Sequence, residues 1–440
     1  MTLIETLARW CAAPQPFSER AKTLAREAIT DTLACMVAGQ NDFSTRAVSE
    51  AWHDSPRSAA QAALVNATAA HAIDYDDNFT PGMSHASAVL LPALLPVALA
   101  QNSSGAELIA AYLVGLQAQA FIGEATGYGH YTAGWHGTST IGCIGSAAGV
   151  AALMGQDAPG IARTLSIAVS MASGVKGQFG TPLKPFHAGM AARNAVEAAT
   201  LARTGMHGRL DIFECPQGFA ELYAGTLSQP GWLNDRQHVI ERVGVMPKKH
   251  PCCGSTHRIL DAIADLQAQQ LFHTDEVEQV HCQVGIANWR NLAYPQPADE
   301  MQARFSMPYC VAVMLEKGAL SVSDFTPQAV AAQSDAQKLA RITMSHWTAE
   351  QENENAALPH TLTVTLKDGR TLRHSRWQAK GVLEEPFSEA ERQAKFLDCC
   401  AHLPDAQALY QQLADLEQTR DIGFLRRMMV TSRPSLPGDA

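Results

Sequence analysis

The chain has 440 residues, with 33 Lys and Arg against 43 Asp and Glu, so its formal net charge is −10. Charged residues make up only 17% of the chain and hydrophobic residues 46%, whereas an average soluble domain is about 25% charged. The acidic balance argues against a nucleic-acid-binding protein, which needs a basic surface. The low charge density predicts extensive buried surface, including an oligomer interface.

The composition also bears on location. The first residues, MTLIETLARWCAAP, lack the basic leader and apolar core of a secretory signal. The apolar stretch ASAVLLPALLPVALA is too short and too interrupted by proline to provide the roughly 20 residues that a membrane span requires. The ten cysteines include no C-x-x-C pair, which favours reduced thiols over a disulfide framework. We therefore expect a cytoplasmic enzyme with no membrane partner.

Residues 1–240 are predicted to form helix after helix. Ser18 is a candidate N-cap, Ser104 with Glu107 forms a capping box, and Asp157 can cap a further helix. The segment IGCIGSAAGVAALMG consists largely of small residues, which allow close approach between helix backbones. It is therefore predicted to be a buried central helix.

The pattern changes in residues 241–389. EQVHCQVGI alternates as a half-buried strand does, and TLTVTLKDGRTLRHS predicts a hairpin that turns at Asp368-Gly369. Helices resume from about residue 390 and are expected to pack against the first domain. The predicted fold is therefore mainly α, with a large all-helical domain (1–240 plus 390–440) and a smaller α+β domain (241–389).

Two stretches combine acids and histidines. Asp74, Asp76 and Asp77 follow a predicted helix C-terminus, where negative charge is unfavourable, so other groups must compensate them. They could serve a structural pairing or a functional site. His136 precedes the small-residue helix, a position that favours a neutral imidazole suited to proton transfer. A packed loop histidine is the alternative interpretation.

Two further stretches are cationic. Residues 173–194 contain Lys184 and His187, residues 245–259 contain Lys248, and neither stretch contains an acid. Such segments can receive a carboxylate or phosphate, although an exposed basic loop would look the same. Cys253 and His257 are four residues apart, a spacing compatible with an activated thiol on a helix, and equally with a buried cysteine.

Positive charge concentrated within an acidic chain predicts a small polyanionic substrate, and the nearby His and Asp groups predict proton transfer. Removal of a proton α to a carboxylate creates charge that Lys and His donors stabilise; lyases and epimerases of di- and tricarboxylic acids use this chemistry. One alternative is a metal-dependent hydrolase, with ligands from His71, Asp74, Asp76 and His85, although no HExxH or paired-cysteine pattern supports it. Another is a carboxylate sensor without catalysis.

Five motifs in order also resemble those of the MmgE/PrpD family, which includes 2-methylcitrate dehydratase, cis-aconitate decarboxylase and iminodisuccinate epimerase. The segment HAIDYDD resembles the family's H-A-x-D-[FY]-D-D, and GWHGTSTIG resembles G-[FW]-H-x-T-x-x-x-G. The others are FGTPLKPFHAGMAARN, KKHPCCGSTH and ARFSMPYCVA. The resemblance extends over essentially the whole chain.

The resemblance implies a homodimer that needs no cofactor and a site between the helical domain and an α+β lid. Carried over by position, it implies catalytic roles for Asp74, His85, His136 and Tyr309. It implies that Lys184 and Lys248 hold substrate carboxylates, with Asn78, His187 and Cys253 nearby.

Departures from the family pattern bear on the reaction. The chain has His85-Ala86 where the family often has His-Pro, and Cys253 where the decarboxylases carry a second histidine. The second difference weakens a decarboxylase assignment, so an epimerase or a 2-methylcitrate dehydratase-like enzyme is favoured, with a cis-aconitate-type decarboxylase as the alternative.

Overall fold

The computed structural model describes residues 1–52, 57–235, 237–355 and 357–430. The chain divides into two compact units. A helical unit comprises Met1–Ala72, Asp76–Pro247 and Glu389–Ala440, and an α+β unit comprises Ile73–Tyr75 and Lys248–Ser388.

In chain order the first helices are α1 Leu3–Ala12, α2 Glu19–Gly39, α3 Phe43–Glu50, α4 Ala59–Ala72, α5 Ala86–Gln101, α6 Gly105–Thr132, α7 Gly137–Leu153, α8 Ala158–Met171, α9 Leu183–Arg203 and α10 Val239–Arg242. They are followed by α11 Gly254–Ala268, β1 Val277–Val284, α12 Ile286–Asn291, α13 Glu300–Ala303, α14 Met307–Lys317, α15 Pro327–Gln333, α16 Ala336–Leu339, β2 Ile342–His346, α17 Ala349–Glu354, β3 His360–Leu366, β4 Thr371–Arg376, α18 Glu389–Cys399 and α19 Ala406–Ala414.

Side-chain caps set several helix starts in the helical unit. Ser18 caps α2, Ser104 and Glu107 form a capping box at the start of α6, and Asp157 caps α8. Each such cap contributes about 1 kcal/mol by satisfying backbone N–H groups that the helix leaves unpaired. These three predicted helix starts are confirmed.

Helix α7 lies in the core of the helical unit, as the small-residue pattern predicts. Every residue from Gly137 to Ala151 is buried. A Cβ placed on Gly145 would lie 2.6 Å from the backbone nitrogen of Gln119 on α6, and one on Gly149 would lie 3.0 Å from Cα of Gly115. The two helix backbones therefore approach too closely for larger residues.

Helix α6 is also a core helix. It has 28 residues and is long and apolar enough to cross a membrane by length and composition, but 83% of its most apolar 18-residue window is buried inside the protein. Its burial is typical of the central helix of a compact helical unit.

The α+β unit contains a four-stranded sheet with the order β2-β1-β3-β4. Strand β1 is parallel to β2 and antiparallel to β3, and β3 and β4 form an antiparallel hairpin that pairs Val364 with Leu372. The predicted first strand and hairpin are confirmed. Strand β2 was not predicted, because ITMSH is short and has no clear alternation. A mainly α fold with a smaller α+β module is thus confirmed.

Candidate active site

Three helices of the helical unit begin at residues that the sequence analysis selected. His85 is the N-cap of α5, His136 is the N-cap of α7, and Lys184 lies in the first turn of α9. The backbone N–H of His85 donates to Oγ1 of Thr138 at 3.0 Å, which ties the start of α5 to the first turn of α7. Helix N-termini carry partial positive charge, so this region is suited to an anion.

Four histidines meet at these helix starts, and we call them the imidazole cluster: His71, His85, His136 and His187. The ring of His71, at the end of α4, lies 4.5 Å from that of His85 and 5.7 Å from that of His136. The rings of His136 and His187 are 5.4 Å apart. Residues separated by more than 100 positions along the chain therefore form one site.

Hydrogen bonds fix how His85 carries its proton. Its Nδ1 lies 2.7 Å from the backbone carbonyl oxygen of Asp77 and 3.4 Å from Oδ2 of Asp76. A carbonyl oxygen only accepts, so Nδ1 of His85 is the donor and Nε2 of the neutral ring carries the lone pair. The same Asp76 oxygen lies 2.7 Å from Nδ1 of His71. Asp76 therefore joins two members of the imidazole cluster.

His136 is enclosed and neutral. Its Nδ1 lies 3.2 Å from Nδ1 of His187, and its buried Nε2 has no hydrogen-bond partner among the described residues. Burial holds the pKa of His136 well below its usual range, and the nearby cationic groups, first His71 and then Lys184, lower it further. An imidazole in this state can exchange protons without a standing charge at neutral pH.

Asp77 is the third acid of this segment. Its Oδ1 lies 3.4 Å from the backbone nitrogen of Ser87, and burial raises the pKa of its carboxyl to about 7. The folded protein therefore keeps a proton that the unfolded chain releases near pH 3.8, the ordinary pKa of an aspartate. Because the folded state binds more protons in this window, the free energy of unfolding falls as pH rises from about 4 to about 7.

The variant Asp77→Asn is expected to remove this pH dependence, since the amide is neutral in both states. It should match the wild type below pH 4 and exceed it in stability by a few kcal/mol above pH 7. Urea unfolding at a series of pH values measures the difference. Parallel curves for the two proteins across the whole range would contradict the assignment of a raised Asp77 pKa.

The first acid belongs to the α+β unit. Nζ of Lys248 donates to the backbone carbonyl oxygen of Asp74 at 2.7 Å and lies 3.2 Å from its Oδ2, with both side chains buried. Asp74 has a φ of 55°, in the left-handed region. Asp74 and Asp76 thus have compensating partners in Lys248 and the histidines, whereas burial raises the pKa of Asp77.

Cys253 and His257 do not form the thiol–imidazole pair that their spacing suggested. Nε2 of His257 donates to the backbone carbonyl oxygen of Cys252 at 3.1 Å, whereas Cys253 is the N-cap of α11. Burial raises the pKa of the Cys253 thiol, and the charge of Asp74 raises it further. Cys253 is therefore a neutral, protonated thiol, which is a poor nucleophile.

Asn78 and Tyr309, two of the residues predicted to belong to the site, make hydrogen bonds to the protein backbone. The backbone of Asn78 forms an antiparallel bridge with Met246, at 2.8 and 2.9 Å. The fully buried hydroxyl of Tyr309 donates to the backbone carbonyl oxygen of Asp324, and burial raises its pKa. The roles carried over to these residues stay predictions.

The predicted metal ligands are only partly brought together. Across residues 1–52, 57–235, 237–355 and 357–430, one group could hold a metal ion: His71, Asp76 and His85, with ligand atoms within 4.8 Å of one another. Asp74, the fourth residue of that hypothesis, instead pairs with Lys248. The contacts among the three others are those of a hydrogen-bonded proton network, with Asp76 as the shared acceptor.

Two features of the site escaped sequence reasoning. Asp76 was considered for a structural pairing and as a metal ligand but not as an acceptor shared by two histidines, and the contact between His136 and His187 was not foreseen. The spacing of His71 and Asp76, five residues across a helix end, was a usable signal. Residues 136 and 187 lie on different helices, so no local pattern could have paired them.

Comparison with protein-family models shows to which family the chain belongs. The MmgE/PrpD N-terminal domain matches residues 5–229 and the MmgE/PrpD C-terminal domain matches residues 250–418. The chain belongs to the MmgE/PrpD family. The resemblance noted from the five motifs is therefore confirmed, and the chain is an enzyme of the MmgE/PrpD type.

Several curated MmgE/PrpD relatives are named cis-aconitate decarboxylase. The human protein is 28% identical over 396 residues, covering 85% of this chain and 80% of the relative. The mouse protein is 28% identical over 403 residues, covering 86% and 80%. A protein from Aspergillus terreus is 25% identical over 350 residues, covering 73% and 71%. These relatives are decarboxylases by name.

Proposed function

We propose that this MmgE/PrpD enzyme is a cofactor-independent lyase or isomerase that acts on a small di- or tricarboxylic acid by abstracting a proton α to a carboxylate. The observation that carries the proposal is a neutral, buried His136 whose Nε2 is unpartnered among the described residues, set beside Lys184 at converging helix starts. Epimerisation and dehydration are the reactions we favour.

Electrostatics supports a carboxylate as the bound group. Lys184 is buried in the first turn of α9, where a cation is disfavoured by the helix dipole. An entering carboxylate relieves that cost, because it meets both the ammonium group and the positive ends of the helices. Its charge also raises the low pKa of His136, so the base gains strength when substrate is bound.

The proton steps follow from the tautomers. The Nε2 lone pair of His136 takes the α-proton, and the C–H electron pair moves into the carboxylate to give an enediolate that Lys184 stabilises. Return of a proton to the opposite face completes an epimerisation. Alternatively the electron pair forms a C=C bond as a β-hydroxyl leaves as water with the proton that Nε2 of His136 has just taken, which completes a dehydration.

Decarboxylation is the second candidate, and the names of the relatives favour it. In that reaction the bond to a carboxylate breaks, CO2 leaves and the remaining carbanion takes a proton from an imidazolium or from an Nε2–H group. The same cluster could supply that proton. Cys253, where the family's decarboxylases carry a histidine, is the feature that places this reaction second.

Isotope exchange tests the proposal. The protein is incubated in D2O with citrate, 2-methylcitrate, cis-aconitate or N-substituted aspartic acids, and NMR follows deuterium at the carbon α to a carboxylate. Exchange with at least one acid is expected, and the product distinguishes inversion, loss of water and release of CO2. Folded protein that exchanges none of these acids contradicts the proposal. Metal analysis with activity before and after chelation tests the hydrolase alternative.

The variant Lys184→Met should weaken binding of the exchanging acid by at least tenfold in KM, since a buried carboxylate would lose its ammonium partner. The matched control is Lys22→Met, which removes a partly exposed lysine that pairs with Glu19 and Glu417 on the same unit. Both proteins are compared with the wild type by initial rates across substrate concentration. An unchanged KM for Lys184→Met would remove Lys184 from the substrate site.

A further inference from the structure

His136 and His187 face each other through the same ring atom. Their Nδ1 atoms are 3.2 Å apart, a distance at which one nitrogen must donate and the other accept. Burial lowers the pKa of His187 to about 4 and that of His136 well below its usual range. At neutral pH the pair therefore consists of two neutral rings that share one Nδ1 proton.

This contact gives the pair two arrangements. When His136 donates its Nδ1 proton, its Nε2 carries a lone pair and can act as a base. When His187 donates, Nε2 of His136 carries a proton and can act as an acid. The direction of a single hydrogen bond thus decides which chemistry His136 offers to a substrate.

The two rings also differ in their access to water. His136 is 1% exposed, whereas His187, on the second turn of α9, is 7% exposed. Ser139 Oγ donates to the backbone carbonyl oxygen of His187 at 3.2 Å, which holds that turn of α9 against the start of α7. His187 is therefore the ring of the pair with the greater access to water.

We propose that His187 is a proton-relay residue through which His136 exchanges the substrate-derived proton with solvent. This inference rests on the proposed function of His136 and gives His187 a role other than substrate binding. The observation that supports the inference is the contact between the two Nδ1 atoms. The relay needs no reactant other than water.

The relay balances in three transfers. Nε2 of His136 accepts the α-proton and the ring becomes an imidazolium. Its Nδ1 proton then moves to Nδ1 of His187, which leaves His136 neutral with a proton on Nε2. Finally Nε2 of His187 releases its proton to water, and both rings are neutral again. His136 now carries a proton on Nε2 and can protonate the intermediate. As it does so, the Nδ1 proton of His187 returns to Nδ1 of His136 and Nε2 of His187 takes up a proton from water, which restores the starting arrangement of the pair.

The groups whose charge acts on both rings are His71 on α4 and Lys184 on α9, and His85 at the start of α5 also acts on His136. Asp76 and Asp77, after α4, are the aspartates that contact the imidazole cluster. The two aspartates nearest the cluster are engaged by His71, His85 and Ser87. The hydrogen bond between His136 and His187 thus involves neither of these carboxyl groups.

The test compares the wild type with His187→Ala and His187→Gln on the acid of the panel that the wild type exchanges fastest. Substrate deuterated at the α-carbon is turned over in H2O, and NMR counts the deuterium retained per turnover. Both variants should lower kcat at least tenfold, leave KM within about threefold and retain more deuterium in the product. Added imidazole should restore exchange to His187→Ala but not to His187→Gln, whose side chain fills the space.

A matched control and a substrate-free measurement separate the possible outcomes. His207→Ala removes an exposed histidine of the same unit and should behave as wild type. In His-15N-labelled wild-type protein, coupling across the Nδ1 to Nδ1 hydrogen bond should be detectable without any ligand.

A raised KM for the His187 variants with unchanged loss of deuterium to solvent would overturn the relay in favour of substrate binding. If the wild type exchanged none of the acids, that result would instead count against the proposed function. If no coupling across the Nδ1 to Nδ1 hydrogen bond were detected, that result would count against the hydrogen-bonded pair itself.

Discussion

Replacing His136 with glutamine is expected to lower the rate of α-proton exchange about 10²–10⁴-fold, the usual contribution of a positioned acid or base. Glutamine is similar in size to histidine and keeps an amide that can bond to His187, so packing at the start of α7 should survive. It has no group that titrates, so it cannot accept the α-proton. The measurement is NMR-detected exchange in D2O at saturating substrate, with KM determined in parallel.

The split between kcat and KM makes this result diagnostic. A base that acts only in the transition state changes kcat and kcat/KM equally, whereas a residue that merely binds substrate raises KM. His207→Gln, an exposed histidine of the same unit, is the matched control. Exchange by His136→Gln at a rate within fivefold of wild type would exclude His136 as the base.

The second large effect concerns stability. Lys248→Met removes the ammonium group beside a buried Asp74 carboxylate, from which Nζ is separated by 3.2 Å. Removing one partner of a buried ion pair typically costs about 3–5 kcal/mol, because the other charge stays buried without compensation. We therefore expect a fall of that size in the free energy of unfolding, measured by urea unfolding at pH 7.

The double variant Lys248→Met with Asp74→Asn provides the decisive comparison. Since it removes both charges, it should recover most of the lost stability, and the coupling between the two sites is read from the double-mutant cycle. Lys22→Met, which breaks only solvent-accessible ion pairs with Glu19 and Glu417, should cost no more than about 1 kcal/mol. Equal losses in the single and double variants would show that the Lys248 side chain stabilises the protein through packing alone.

Local chemistry made much of this fold predictable. The caps at Ser18, Ser104 and Asp157 act on backbone groups two or three residues away, so their effect is visible in the sequence. The hairpin at Asp368-Gly369 is equally local. Strand β2 was missed because it is short and is held by pairing with β1, more than 50 residues earlier in the chain.

In the candidate site, too, local features could be predicted from the sequence and contacts between distant elements could not. Motifs placed His85, His136, Lys184 and His187 in one region, and the structure brings them together at the starts of α5, α7 and α9. Tautomers and proton paths depend on distances between elements, and no spacing along the chain encodes those. The homodimer and the cytoplasmic location stay predictions.

The close approach of α7 to α6 has a consequence for altering this enzyme by design. His136 sits at the end of a helix in which positions such as Gly145 and Gly149 have no room for a Cβ. Substitutions along that helix would displace the base itself, so libraries that vary α7 should yield mostly inactive protein. At Gly177, in the segment before α9, an added Cβ meets nothing within 4 Å. Sequence variation is therefore better sought at Gly177 than along α7, whereas Phe179 in the same segment should be kept, because its ring lies 4.9 Å from that of His136.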